Sequence, residues 1–208
     1  MEPDPGNDEP DRHSGEPAIV AVLAGGGATR LGGDKAARML AGRPLIDYPL
    51  QAAGDAGLTA IVVAKASSRL PRLDVKTLIE PELPAHPLRG IVTALGGARG
   101  RPVVALACDL PLVGPGLLRW IATRPERLVV PSVGGRLQPL AARYGPELLP
   151  DLEARLHGSC SMQGLVKVLG PRVVGEREIA RFQDPERAFT NVNGPDDLEL
   201  AAGLLESA

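Results

Sequence analysis

AIVAVL at Ala18–Leu23, followed by Ala24-Gly25-Gly26-Gly27-Ala28-Thr29-Arg30-Leu31-Gly32-Gly33-Asp34-Lys35, is the stretch from which the fold can be read. A short unbroken apolar run has the length and make-up of a strand covered on both faces of a parallel sheet. Three consecutive glycines then remove every Cβ, so backbone N–H groups can close on an anion. Arg30 adds a bidentate phosphate donor and Lys35 a compact positive charge. Such a loop suits a triphosphate. No Gly-Lys-Ser/Thr closes it, so it is not a Walker A loop, and its spacing fails the G-x-G-x-x-G dinucleotide fingerprint. Read without function it is a flexible glycine-rich turn with stray charges, but its place at the end of the first buried strand favours the anion site.

Outward from this stretch, strands and helices alternate. Thr59–Ala64 and Pro102–Ala107 read as buried strands and Lys76–Glu80 as a shorter one, while LVVPSV and QPLAARY look like further strands. Helical stretches are expected near Pro44–Ala56, Leu88–Ala98, Gly116–Ala122, Met162–Leu169 and Pro195–Leu205, the last opened by a proline and two acids. The alternation predicts a Rossmann-like three-layer α/β/α fold with a mainly parallel sheet. Right-handed crossovers then gather the loops after the strands at one edge, where ligands bind.

Length and composition set the outer limits. At 208 residues the chain can bury one good-sized core, and residues 18–208 show no repeat or linker that would split them. Aromatics are only 2%, so the core must come from Leu, Val, Ile and Ala. Residues 1–17 hold six acids, four prolines and no large aliphatic after Met1, the composition of a disordered tail in which His13 is incidental. A net charge of −2 with interspersed signs gives no broad basic footprint, which disfavours nucleic acid. No apolar run reaches bilayer length and the N-terminus lacks the regions of a signal peptide, so no membrane role and a cytoplasmic location are expected. Cys108 and Cys160 have neither disulfide-framework nor metal-ligand spacing, and Cys108 reads as a small core residue.

Asp109 follows the strand Pro102–Ala107 and faces the same edge as the glycine loop. A carboxylate there can hold Mg²⁺, which needs one or two carboxylates plus phosphate oxygens. The competing reading is an N-cap or turn aspartate.

Three segments carry a resemblance. Leu23-Ala24-Gly25-Gly26 through Arg30, Gly32, Asp34 and Lys35, then Cys108-Asp109-Leu110-Pro111, then Asn191-Val192-Asn193-Gly194-Pro195-Asp196-Asp197-Leu198 resemble elements of the molybdenum cofactor guanylyltransferase family. That family has the fold of the nucleotide-diphospho-sugar transferases. The resemblance implies transfer of GMP from GTP to the terminal phosphate of a molybdopterin-type cofactor, with Mg²⁺ and release of pyrophosphate. It implies nucleotide contacts from Leu23, Ala24, Gly25, Gly26, Gly27 and Lys35, Arg30 near the reacting phosphates, and Asp109 on Mg²⁺. Asn191 and Asn193 would form the acceptor pocket, with Gln138 a further acceptor candidate; without that role, Asn193 and Gly194 shape the turn into the last helix. Pro87-Leu88-Arg89-Gly90 resembles the segment beside the base, bringing in Leu88 and Gly90. Transient contact with cofactor-delivering or molybdoenzyme-maturation proteins is expected as well.

The departures concern the base and the acceptor. His86 stands where glycine is usual, Arg89 where a small residue is common, and Ala64-Lys65 where asparagine is frequent. Where the family has an aspartate ahead of this segment, Glu80 or Glu82 can substitute as the carboxylate that guanine recognition favours. The loop around Gly158-Ser159-Cys160-Ser161 lacks a basic residue, and His157 and Cys160 there read as structural or incidental. An acceptor phosphate is already ionised, so no general base is required, in keeping with the absence of a convincing catalytic histidine. Rival readings are a cytidylyltransferase for the same cofactor, a sugar-phosphate nucleotidyltransferase, and a nucleotide-sensing module without turnover.

Overall fold

The computed structural model describes residues 17–25, 35–83, 85–156, 158 and 161–207. In chain order these form β1 (Ile19–Leu23), the two-residue strands β2 (Met39–Leu40) and β3 (Arg43–Pro44), α1 (Asp47–Asp55), β4 (Ala60–Lys65), β5 (Thr77–Glu80) and α2 (Pro87–Gly97). There follow β6 (Val103–Ala107), α3 (Pro115–Ala122), β7 (Leu128–Val133), β8 (Arg136–Leu137), β9 (Ala141–Tyr144), α4 (Leu149–Ala154) and α5 (Met162–Val168). β10 (Arg172–Val174), α6 (Glu176–Ile179), α7 (Pro185–Ala188) and α8 (Pro195–Glu206) complete the described chain.

The main sheet runs β10-β7-β9-β6-β1-β4-β5, with β8 attached to β7. β1 pairs in parallel with β4 on one side and β6 on the other, and β5 continues in parallel beyond β4. β9 is antiparallel to both β6 and β7. The sheet is therefore mixed but mostly parallel. The chain turns back across β1 between β5 and β6, which makes the carboxyl ends of β1 and β6 a topological switch point. Crevices form there because the crossovers on either side leave the strand ends uncovered.

β1 is apolar throughout because both its faces are covered. Val20 and Val22 pack with Ala53 of α1 and Leu117 and Ile121 of α3, whereas Ile19 and Ala21 pack with Ile91 and Leu95 of α2. Helices thus lie on both faces, giving the expected three layers. Truncating a side chain such as Ile121, which is 1% exposed, would cost about 2–5 kcal/mol through lost burial and the cavity left behind. A third, smaller cluster joins Leu40, Leu45, Val192 and Ala201, so α8 is anchored on the β2–β3 hairpin.

Most expected elements are present with ends displaced by a few residues. Gln138–Leu140 stay outside β9 because Pro139 has no N–H to give a ladder. The hairpin, β8, β10 and the short helices α4, α6 and α7 carry too little periodicity to be read from sequence. Pro17 accepts a hydrogen bond from Arg101 Nη2 at 2.7 Å; the rest of the expected tail, His13 included, lies outside the described residues.

Candidate active site

Four parallel strands end at one edge, and each contributes to a cavity of about 460 Å³. Leu23 ends β1 with Gly25 just beyond, Lys65 ends β4, Glu80 ends β5, and Ala107-Cys108-Asp109 leave β6. Register makes this possible. Leu23 lies level with both Val63 and Ala107, and Lys65 level with Glu80. The first turn of α2 closes one wall with Pro87 and Gly90, and Asn193 reaches in ahead of α8.

At the β6 end, Lys35 stands in a short 3-10 turn, Lys35–Ala37, whose Ala36 carbonyl accepts from Ile46 N. Its Nζ lies 2.6 Å from Asp109 Oδ2 and donates at 2.8 Å to Asn193 Oδ1. Lys35 is 9% exposed, so the ammonium is held in a largely dry position. The second Asp109 oxygen, Oδ1, is buried and has no hydrogen-bond partner among the described residues. Asp109 is not a helix cap, since Gly114 occupies that position for α3, but it does stand in a turn, with Leu110 N donating to the Ala107 carbonyl at 3.2 Å. Its carbonyl accepts from Val192 N at 2.9 Å, which ties the Asn191–Asn193 segment to the end of β6. Burial, then the neighbouring Asp109 charge, push the Cys108 thiol up to about 12, so it is a protonated wall residue.

At the β5 end, Glu80 is 7% exposed and accepts no hydrogen bond from the described residues. Burial raises its pKa, opposed by the Lys65 and Arg89 charges and assisted by Glu82. Two glycines make room for it. A Cβ on Gly25 would collide with Glu80 Oε1, and one on Gly90 would sit 3.3 Å from Oε2 and 3.2 Å from Leu23 Cδ2. Glu82 is instead exposed and tied to Ser67 through its backbone N and its hydroxyl at 3.1 and 3.0 Å. Of the two carboxylates that the sequence offers, Glu80 is the one in the cavity.

The other expected site residues divide. Leu23, Gly25, Lys35, Glu80, Gly90, Asp109 and Asn193 line the cavity. Ala24 donates to Val63 O at 2.8 Å and packs against the α1–α3 core, while Leu88 is buried on the core-facing side of α2. Gln138 donates to the Arg136 carbonyl at 3.4 Å, and the exposed Asn191 to the Phe189 carbonyl at 3.4 Å; neither lines the cavity. Gly26, Gly27, Arg30, His157 and Cys160 lie outside the described residues. Asn193 N and Gly194 N both donate to Asp197 Oδ2 at 2.8 Å, capping α8, so this segment has its structural role as well. His86 has a local reason too. Its Nδ1 accepts from Leu88 N at 3.2 Å and caps α2. Sequence reasoning gives Lys65 no role at the site; its signals are a charged residue closing an otherwise apolar strand and the departure from the asparagine frequent there in the family.

Comparison with known proteins agrees with this fold. The family model described as MobA-like NTP transferase domain matches residues 20–176. The molybdenum cofactor guanylyltransferase of Cereibacter sphaeroides is 32% identical over 88% of this chain and 95% of its own length. That of Pseudomonas putida is 32% identical over 88% and 96%. Among solved structures, molybdopterin-guanine dinucleotide biosynthesis protein A from Archaeoglobus fulgidus has a TM-score of 0.74 at 24% identity, covering 91% of this chain and all 100% of that one. The 2-C-methyl-D-erythritol 4-phosphate cytidylyltransferase of Thermus thermophilus gives 0.66 at 20%, covering 92% and 100%. At such identities the two structures speak for the fold, that of the nucleotide-diphospho-sugar transferases. The chain belongs to the MobA-like NTP transferase family, alongside the molybdenum cofactor guanylyltransferases, and is a nucleotidyltransferase.

Proposed function

We propose that this protein transfers GMP from GTP to the terminal phosphate of molybdopterin or Mo-molybdopterin, releasing pyrophosphate. The observation that carries the reading is one cavity with a Lys35–Asp109 pair at one end and, at the other, the buried Glu80 carboxylate, unpartnered among the described residues. A base reaches Glu80 while its phosphates reach Lys35. Guanine is the base with two adjacent donors, N1–H and the 2-amino group, for the two oxygens of a carboxylate.

The residues present fit Mg²⁺. Asp109 Oδ1 is a buried, unpartnered hard oxygen. Among the described residues no group of three or more His, Cys, Asp or Glu could form an all-protein cage, which suits an ion held mainly by substrate phosphates. Bound by Asp109, Mg²⁺ supplies neutralisation of the triphosphate charge. Lys35 stabilises negative charge growing on the leaving pyrophosphate, with Arg30 and the amides of Gly25, Gly26 and Gly27 as further donors. Asn193 offers an amide to the acceptor beside the reacting phosphates; Asn191 and Gln138 are secondary acceptor residues. The chemistry rests on positioning two phosphates in line. Residues 18–208 act as one nucleotidyltransferase domain. No described helix is long and apolar enough to cross a membrane, and work in the cytoplasm beside cofactor-delivering proteins completes the proposal.

The test is calorimetric titration with GTP, CTP, ATP and UTP, with and without Mg²⁺, followed by pyrophosphate release on adding the pterin acceptor. Selective GTP binding and acceptor-dependent pyrophosphate release are expected. A CTP preference would move the function to the cytidylyl rival, release with a sugar phosphate instead of the pterin would move it to that class, and binding without turnover would leave a sensor.

A further inference from the structure

Lys65 has no assigned task, yet it stands beside Glu80. The two are register partners on neighbouring parallel strands, so their side chains leave the sheet on the same face, the one covered by α2. Both line the cavity. The Lys65 backbone is fixed at its strand end, its N donating to Ser68 Oγ at 3.2 Å and its carbonyl accepting from Ser68 N at 3.1 Å. Its side chain runs past the bare Cα of Gly25, where an added Cβ would lie 3.4 Å from Lys65 Cγ. The ammonium is felt by Glu80 and by Glu82, but among the described residues it makes no ion pair within 4.0 Å and no hydrogen bond. A buried carboxylate and the ammonium of a half-buried lysine, on residues level with one another and bonded to no described residue, form an acceptor and a donor held ready for a third party.

We propose that Lys65 is a base-reading residue that donates to the exocyclic carbonyl of the nucleotide base while Glu80 accepts from the adjacent ring N–H and amino group. This rests on the guanylyl reading above and adds to it the selection of the keto group. Guanine presents an acceptor, O6, followed by two donors; Lys65 meets the first and Glu80 the other two. Adenine and cytosine place an amino group where Lys65 needs an acceptor, and a bare ring nitrogen where Glu80 needs a donor. Uracil has the carbonyl and one N–H but turns a second carbonyl on the carboxylate. Each mismatch leaves a buried polar group unpaired, which discriminates more strongly than a lost contact alone.

The experiment measures affinities of the full chain for GTP, ITP, ATP and CTP with Mg²⁺, using wild type, Lys65→Met and Lys65→Arg. ITP keeps the carbonyl and N–H and lacks only the amino group facing Glu80. Lys65→Met is expected to weaken GTP and ITP by about ten- to a hundredfold, a charge-assisted bond's worth, and to leave ATP and CTP within about twofold. Lys65→Arg, which restores a donor, should recover part of the GTP preference. Equal weakening of all four nucleotides by Lys65→Met would make Lys65 a phosphate or sugar contact and overturn the proposal, as would unchanged GTP affinity. If wild type itself does not prefer GTP, the guanylyl reading fails first and this inference with it. Melting temperatures of the variants separate either result from unfolding.

Discussion

The two ends of the cavity treat charge in opposite ways. At the end of β6, Lys35 Nζ donates to both Asp109 and Asn193, at 2.6 and 2.8 Å, so each charge has a partner before any ligand arrives. At the ends of β4 and β5, Glu80 and Lys65 are set level by sheet register, and among the described residues their side chains bond to none. The first arrangement protects stability and must exchange partners when phosphates bind. The second gives up stability and returns it as selectivity, because only a complementary ligand can satisfy it.

Substitutions can break the contrast at either end. The largest effect is expected at Asp109: Asp109→Ala should lower pyrophosphate release by about 10²–10³-fold, while GTP titrated in the presence of EDTA loses little affinity. Lys35→Met should slow transfer by about a hundredfold and also lower the melting temperature, because Asp109 is left without its cation. Lys35→Met combined with Asp109→Asn should melt higher than Lys35→Met alone; a lower melt would mean that the orphaned Asp109 charge is not what destabilises Lys35→Met.

Glu80→Gln should narrow GTP-over-ATP selectivity by about tenfold or more yet raise the melting temperature near neutral pH. The sign follows from the raised pKa. The folded state holds the Glu80 proton more tightly than the unfolded chain, so ionisation costs stability as pH rises from the ordinary carboxylate range through the raised value. The stability advantage of Glu80→Gln should therefore shrink on acidification, and wild-type GTP affinity should fall in the same window at a higher pH than an ordinary glutamate would give. A flat difference between the two melting curves across that range would refute the assignment. Asn193→Ala should weaken acceptor use about fivefold, the loss of one hydrogen bond, against less than twofold for Asn191→Ala. The smallest effect concerns Cys108, whose buried, protonated thiol should resist alkylation at pH 8 in the native protein and react in denaturant, read by peptide mass.

The same contrast explains what the sequence could reveal. β1, β4 and β6 are unbroken apolar runs because both sheet faces are covered, and coverage leaves that pattern on each strand separately. Asp109 and Lys35 could be singled out because each closes a recognisable local pattern. Their meeting could not be read, since it joins residues 74 apart, and Lys35 to Asn193 spans 158. Lys65 showed only as a departure from the asparagine frequent in the family, with no task attached. Its place opposite Glu80 depends on the register of β4 against β5, which single-sequence periodicity does not encode. The choice of Glu80 over Glu82 needed the structure for the same reason. One is the last residue of a strand and the other lies in the following loop, a difference of two positions.

Leu23, Lys65, Glu80 and Ala107 in the pocket are also the last residues of their strands, and this bears on how such a protein diversifies. Replacing Glu80 or Lys65 disturbs no ladder partner deeper in the sheet and touches neither apolar layer. A lineage can therefore rewrite its preferred base or acceptor at a handful of strand tips while the folding information behind them is inherited unchanged.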